Sequence, residues 1–176
     1  MNKAVFLDRD GTIIEDVNYL SRIEDIKLIK GVKEALKLLK DDGYLLVVVS
    51  NQSGIGRGYF TKEFVDKANA VLNEMLDGLI DAFYYCPHKP EDNCSCRKPK
   101  TALVDEAVER FEIDRSKSFV IGDKESDIEL GINANITPIL VLTGYGKKYK
   151  DSTKAKLIFD DILGAAKWIC QKGFME

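Results

Sequence analysis

Nothing in this sequence approaches the ~20 consecutive apolar residues that a membrane-spanning helix needs. The start, MNKAVFLD, lacks the apolar core of a signal peptide and reads as a strand from its first residues. A cytoplasmic protein that does not engage the membrane is expected. Basic residues are not in excess: 26 Lys and Arg stand against 29 Asp and Glu, a net charge of −3. The basic stripe of a nucleic-acid surface is therefore missing. Internal repeats, low-complexity tracts and linkers are missing too, and 176 residues suit a single domain spanning 1–176 with an adequate core. Histidine occurs once and cysteine four times. Cys170 sits in the apolar pattern AAKWIC and reads as a small buried hydrophobe. The other three, Cys86, Cys94 and Cys96, bracket the lone His88 in the stretch CPHKPEDNCSC. In a reducing compartment that clustering points to a metal site rather than a disulfide framework. Three sulfurs and one imidazole complete a closed tetrahedral Zn²⁺ site with no position left for substrate. The spacings are tighter than a zinc finger's, so the expected role is structural, shaping the loop that leads into RKPK.

What is present is a regular alternation. Apolar strand-like runs fall at 4–7, 44–50, 82–86, 118–122 and 138–142. Helix-like segments at 31–43, 61–78, 101–111 and 126–135 separate most of them, with Thr61 as an N-cap. The tail reads as a short strand, KLIF, followed by a helix from about Asp161. Alternating β and α with nearly all-apolar strands predicts an α/β fold whose parallel sheet is covered on both faces. Three segments, 12–30, 51–60 and 87–100, are irregular and follow strand ends. Ligands of open parallel sheets bind beyond the carboxyl ends of the strands, so these segments should surround one site.

The strand ends carry the chemistry. Asp8 and Asp10 close the first, Ser50 the second, and Asp123 and Asp127 follow the fourth in GDKESD. The third leads through the cysteine loop to Lys98. Carboxylates gathered in one crevice repel one another unless a cation offsets them. Hard oxygen ligands suit Mg²⁺, held chiefly by Asp8 and Asp123, with the backbone carbonyl of Asp10 available as well. Each piece alone is ordinary: Asp-x-Asp-Gly is a common turn and GDKESD a helix cap. All of them in this order, each at a strand end, are not.

FLDRDGT, VVVSN, CRKP and VIGDKESD resemble the four motifs of the haloacid dehalogenase superfamily of phosphatases, and the likeness runs from about Val5 to Gly144. The resemblance implies a Rossmann-like three-layer fold with strand order 3-2-1-4-5 and no large cap domain between Ser50 and Lys98. It implies Asp8 as the nucleophile that forms an aspartyl-phosphate. Asp10 would protonate the leaving alcohol and then activate water. Ser50 would donate to a phosphoryl oxygen, and Lys98, rather than Lys100, would steady Asp8. Asp123 would be a Mg²⁺ ligand and Asp127 its support.

The zinc loop narrows the resemblance to the subgroup of heptose-bisphosphate and histidinol phosphatases. NQSGIGRGYF and TGYGKK look more like the heptose enzymes, whereas the short KPEDN resembles the histidinol enzymes. The expected reaction is removal of the 7-phosphate of D-glycero-D-manno-heptose 1,7-bisphosphate, with histidinol phosphate as the alternative substrate. On the heptose reading, Arg97, Lys124 and Arg57 are cations for the second phosphate or the sugar. Asp16 and Tyr19 take sugar hydroxyls, and Asn51, Gln52 and Ser53 complete the substrate contacts. A monomer acting on a small phosphorylated sugar is expected. The acidic balance argues against a DNA 3′-phosphatase. The joint presence of Asp8, Asp10, Lys98 and Asp123 argues against a silent zinc module that merely binds a phosphorylated ligand.

Overall fold

The computed structural model describes residues 1–172. Six strands, β1 (Ala4–Leu7), β2 (Leu45–Asn51), β3 (Ala82–Cys86), β4 (Phe119–Gly122), β5 (Thr137–Val141) and β6 (Leu157–Phe159), form one sheet. Its order is β3-β2-β1-β4-β5-β6 and every pairing is parallel. The helices are α1 (Val32–Asp41), α2 (Lys62–Met75), α3 (Ala102–Phe111), α4 (Glu125–Ala134), α5 (Gly146–Tyr149) and α6 (Ile162–Lys172). The expected order is thus present, extended by β6 at the far edge. The sequence pattern did not mark α5, a single turn among lysines.

Strand periodicity sorts the core into two layers. Val5 and Leu7, with Leu46, Val48 and Ile121, point to the face covered by α1, α2 and α6. Ala4 and Phe6, with Val47, Val49 and Val120, point to the face covered by α3 and α4. Alternate residues of every central strand are therefore buried on opposite sides, which is why these strands read as unbroken apolar runs. Full burial of a side chain such as Phe6 or Leu7 contributes about 1.5–3 kcal/mol, so the sheet holds the strand ends firmly. The Thr61 hydroxyl accepts the Phe64 N–H at 3.1 Å and caps α2, as its sequence position predicts.

The chain after β1 does not continue as strand. Ile13 and Ile14 are fully buried, but in a turn closed by Ile13 N–H and Ile14 N–H donating to Arg9 O at 2.9 and 3.1 Å. Between β2 and β3 there is only a loop and α2, so no cap domain stands over the sheet. No helix among the described residues is long and apolar enough to cross a membrane.

Candidate active site

β1, β2 and β4 lie side by side, so their carboxyl ends bring three motifs together. The Asp8 N–H still donates to Ile121 O at 3.1 Å, which carries the β1–β4 ladder one residue past the strand and fixes the Asp8 backbone. Lys98 reaches in from the loop after β3. Its ammonium group donates to Asp8 Oδ1 at 2.9 Å, Asp127 Oδ1 at 2.7 Å and Val49 O at 2.8 Å, and these three bonds use all its protons. Lys100, the rival in the sequence, stays exposed and bonds Asn93 instead. Asp127 does two jobs at once. It pairs with Lys98 through one oxygen and caps α4 through the other, which accepts the Lys124 N–H at 3.1 Å.

Two glycines make room for Asp123. Gly11 adopts φ +91° and Gly144 φ +54°, conformations that L side chains rarely take. A Cβ on Gly11 would stand 2.7 Å from Asp123 Cγ, and one on Gly144 only 2.9 Å from it. Thr12 Oγ1 and the Tyr145 N–H donate to the two Asp123 oxygens at 3.4 and 2.9 Å. Thr143 Oγ1 ties this β5 loop to Gly11 O at 2.7 Å.

The charges are unevenly matched. Burial alone would raise Asp8, but Lys98 and Lys124 outweigh it and hold its carboxyl well below the usual range. Burial, reinforced by the Asp8 carboxylate, pushes Asp123 up to about 8 and also raises Asp127. Lys98 is itself raised, because Asp127 and Asp8 overcome its burial. Lys124 lies 3.7 Å from each of Asp8 Oδ2, Asp16 Oδ2 and Asp123 Oδ1, and it too is raised: its burial is outweighed by Asp8 and Asp123. Three buried carboxylates against two ammonium groups leave one negative charge over, which favours the neutral form of Asp123. A divalent cation fits here. Asp8, Asp123 and Asp127 each offer an oxygen within 4.8 Å of the others, and Asp8 Oδ2 is buried with no hydrogen-bond partner. An all-oxygen donor set suits Mg²⁺.

Above this cluster opens a cleft of about 340 Å³. Of the residues predicted to touch substrate, Asp16, Tyr19, Arg97 and Lys124 line it, as do Asn51 at the end of β2 and Gln52 and Ser53 just after it. Asp10 lines it too, whereas Ser50 lies just behind, 1% exposed, accepting from Gln52 Nε2 at 3.2 Å. Asn51 also clamps the Lys98 backbone, accepting the Lys98 N–H at 3.0 Å. Arg57 is not brought in: it stands exposed on the 54–59 loop, outside the cleft lining. Tyr145, Lys148 and Tyr149 line the cleft although sequence reasoning did not single them out. The stretch TGYGKK holds Tyr145 and Lys148 and stops one residue short of Tyr149. Tyr59, exposed at the rim, packs edge-on against Tyr19 with ring centroids 5.0 Å apart.

The cysteine loop forms a second cluster beside the cleft. Cys86 Sγ lies 3.5 Å from Cys94 Sγ and 2.9 Å from Cys96 Sγ, and Cys94 and Cys96 are 3.7 Å apart. His88 Nδ1 is 3.5 Å from Cys86 and 3.4 Å from Cys96. Bonds of ~2.3 Å to a tetrahedral Zn²⁺ set sulfurs about 3.7 Å apart; Cys94 stands at about that distance from Cys86 and Cys96, whereas the Cys86–Cys96 pair is closer and would open by about 0.8 Å around an ion. All the sulfurs are free of disulfides. Burial pushes the Cys86 thiol up to about 12, a cost that a bound cation removes. Arg97, whose Nη1 donates to His88 O at 3.4 Å, leaves this loop pointing into the cleft.

A family model described as HAD-hyrolase-like matches residues 95–165. The chain is 39% identical to D-glycero-beta-D-manno-heptose-1,7-bisphosphate 7-phosphatase of Haemophilus ducreyi, an alignment covering 95% of this chain and 98% of that one. This chain belongs to the heptose-bisphosphate phosphatase family. The Helicobacter pylori (strain J99) member of the family is 47% identical over 81% of this chain and 84% of its own. Among solved structures, D,D-heptose 1,7-bisphosphate phosphatase from B. bronchiseptica, complexed with magnesium and phosphate, superposes with a TM-score of 0.90 at 26% identity. That match covers 97% of this chain and 99% of the other. Family membership accounts for the haloacid dehalogenase-like sheet.

Proposed function

We propose that this protein is a Mg²⁺-dependent phosphatase that removes the 7-phosphate of D-glycero-D-manno-heptose 1,7-bisphosphate. The observation that carries the chemistry is the buried Lys98, bonded at once to Asp8 and Asp127 beside an Asp8 oxygen that accepts no hydrogen bond. The substrate rests on relatives that share nearly the whole chain and bear that name. The same relatives speak against the histidinol-phosphate reading.

In this reading an Asp8 carboxylate oxygen bonds to phosphorus as the phosphorus–oxygen ester bond breaks. Asp10 gives its proton to the departing sugar oxygen. Asp10 then takes a proton from water as that water attacks the aspartyl-phosphate, which releases inorganic phosphate and restores Asp8. Ser50 donates a hydrogen bond to the transferring group, where negative charge gathers, and Lys98, its three protons held by Asp8, Asp127 and Val49 O, supplies a fixed positive charge beside it. Asp8, Asp123 and the Asp10 carbonyl would hold Mg²⁺, which when bound offsets the repulsion between carboxylate and phosphate. Cys86, His88, Cys94 and Cys96 would hold Zn²⁺, which keeps the loop bearing Arg97 and Lys98 in shape. Arg97 and Lys124 face the second phosphate, and Asp16 and Tyr19 the sugar. The unpaired cysteines fit a reducing cytoplasm.

Purified protein assayed on both anomers of the heptose bisphosphate, on histidinol phosphate and on fructose 1,6-bisphosphate tests this. A heptose anomer should have the highest kcat/KM. Preference for histidinol phosphate by orders of magnitude would overturn the substrate assignment.

A further inference from the structure

Arg9 stands between the two aspartates of the first motif, yet the chemistry above gives it no part. Its side chain is 2% exposed, so substrate does not reach it. In a continued strand residues 9 and 10 would point to opposite faces. The turn after β1, in which Arg9 O accepts from Ile13 and Ile14, lets the two side chains meet instead. Arg9 Nε donates to Asp10 Oδ2 at 3.1 Å and Arg9 Nη2 to Asp10 Oδ1 at 3.2 Å, the two parallel bonds of a guanidinium–carboxylate fork. Arg9 Nη1 donates to Asn69 Oδ1 at 3.0 Å. Asn69 is buried on α2 and accepts this bond inside the protein. On the cleft side, Gln52 Nε2 bonds Asp10 Oδ2 at 3.1 Å.

A buried guanidinium is costly to retain, and an apolar residue would fill its space without that cost. Its donors are aimed at one carboxylate and at the side chain that anchors it. We infer that Arg9, held by Asn69, is a positioning residue that fixes the Asp10 carboxyl group for proton exchange with the leaving oxygen. The fork sets both the rotamer and the plane of the carboxyl, which a single ammonium cannot do. α2 thereby becomes part of the catalytic frame, although none of its residues lines the cleft. The inference rests on the proposed acid/base role of Asp10.

Leaving-group dependence separates positioning from general damage. A sugar alkoxide needs a proton to depart, whereas p-nitrophenolate leaves without one. kcat/KM on each substrate reports the steps up to cleavage of that bond. Arg9→Met should lower kcat/KM on heptose 1,7-bisphosphate by roughly 30–100-fold, within the range general acid catalysis supplies. On p-nitrophenyl phosphate the loss should stay under about 3-fold. Arg9→Lys keeps the charge but loses the fork, and should recover only a small part of the loss. Asn69→Ala leaves the guanidinium unanchored and shifts the same ratio by roughly 3–10-fold, which keeps the test open if Arg9→Met does not fold. Equal losses on both substrates, or none, would overturn the inference. Asp10→Asn distinguishes the two levels. If it too lacks leaving-group dependence, the acid/base reading of Asp10 has failed. If it shows the dependence and the Arg9 and Asn69 variants do not, only the role of Arg9 has failed.

Discussion

Replacing Lys98 by Met keeps the length and packing of the side chain and removes only the ammonium group. Three acceptors then lose a donor: Asp8 Oδ1, Asp127 Oδ1 and Val49 O. Both carboxylates are buried, Asp8 at the floor of the cleft, so water replaces only a small part of what is lost. Breaking a buried ion pair by removing one partner costs about 3–5 kcal/mol. Here one cation serves two carboxylates, which places the expected loss toward the upper end, against a total stability of about 5–15 kcal/mol. The pH dependence has a definite sign. Asp8 is held below its unfolded value, so the stabilisation Lys98 gives it is fully present above about pH 4 and fades as pH falls further. Urea unfolding of the wild-type and Lys98→Met proteins at pH 7, without added Mg²⁺, measures the difference directly. Turnover should drop by at least about 10³-fold, because the transferring phosphoryl group loses its fixed cation. A stability change under about 1 kcal/mol with turnover within tenfold of wild type would refute the view that Lys98 organises the site.

Three further outcomes follow from the geometry. Gly11→Ala forces a Cβ against Asp123 at a positive φ, so Mg²⁺ titrations of activity should show a metal requirement raised by tenfold or more, on the order of 1.4 kcal/mol of lost affinity. Because burial and Asp8 push Asp123 up to about 8, Mg²⁺ binding must displace a proton; apparent affinity should rise by up to about tenfold per pH unit below 8 and level off above it, and calorimetry in buffers of different ionisation enthalpy should register the released proton. Cys96→Ser removes one corner of the sulfur–imidazole cluster; metal analysis should fall from one Zn²⁺ per chain towards none, with a clear drop in Tm and a loss of activity through the misplaced Arg97 and Lys98.

Much of the architecture was legible because strand burial follows period two and helix burial follows the 3.6-residue repeat. The expected strand at 82–86 coincides with β3, and the cap predicted at Thr61 is made. The four strand-end motifs were readable because chemistry places unusual side chains where apolar runs stop. Other features left no comparable trace. No pattern in the sequence marks Arg9 as buried, and the Asn69 side chain that accepts its hydrogen bond lies sixty residues away. The Tyr145 contact to Asp123 is made by a backbone N–H, which any residue but proline could supply. Asp127 reads as either a helix cap or a support for Lys98, and the structure makes it both. Arg57 lies in a loop whose spacing from the catalytic strand says nothing of where its side chain points.

The central claim is that Asp8 attacks one phosphate of a heptose bisphosphate, the one at carbon 7. Following the reaction by ³¹P NMR tests it most directly. With wild-type protein and Mg²⁺, the 7-phosphate resonance should disappear and inorganic phosphate should grow in its place, while the anomeric phosphate persists; Asp8→Asn should leave both resonances unchanged. Loss of the anomeric phosphate instead, or full turnover by Asp8→Asn, would contradict the account.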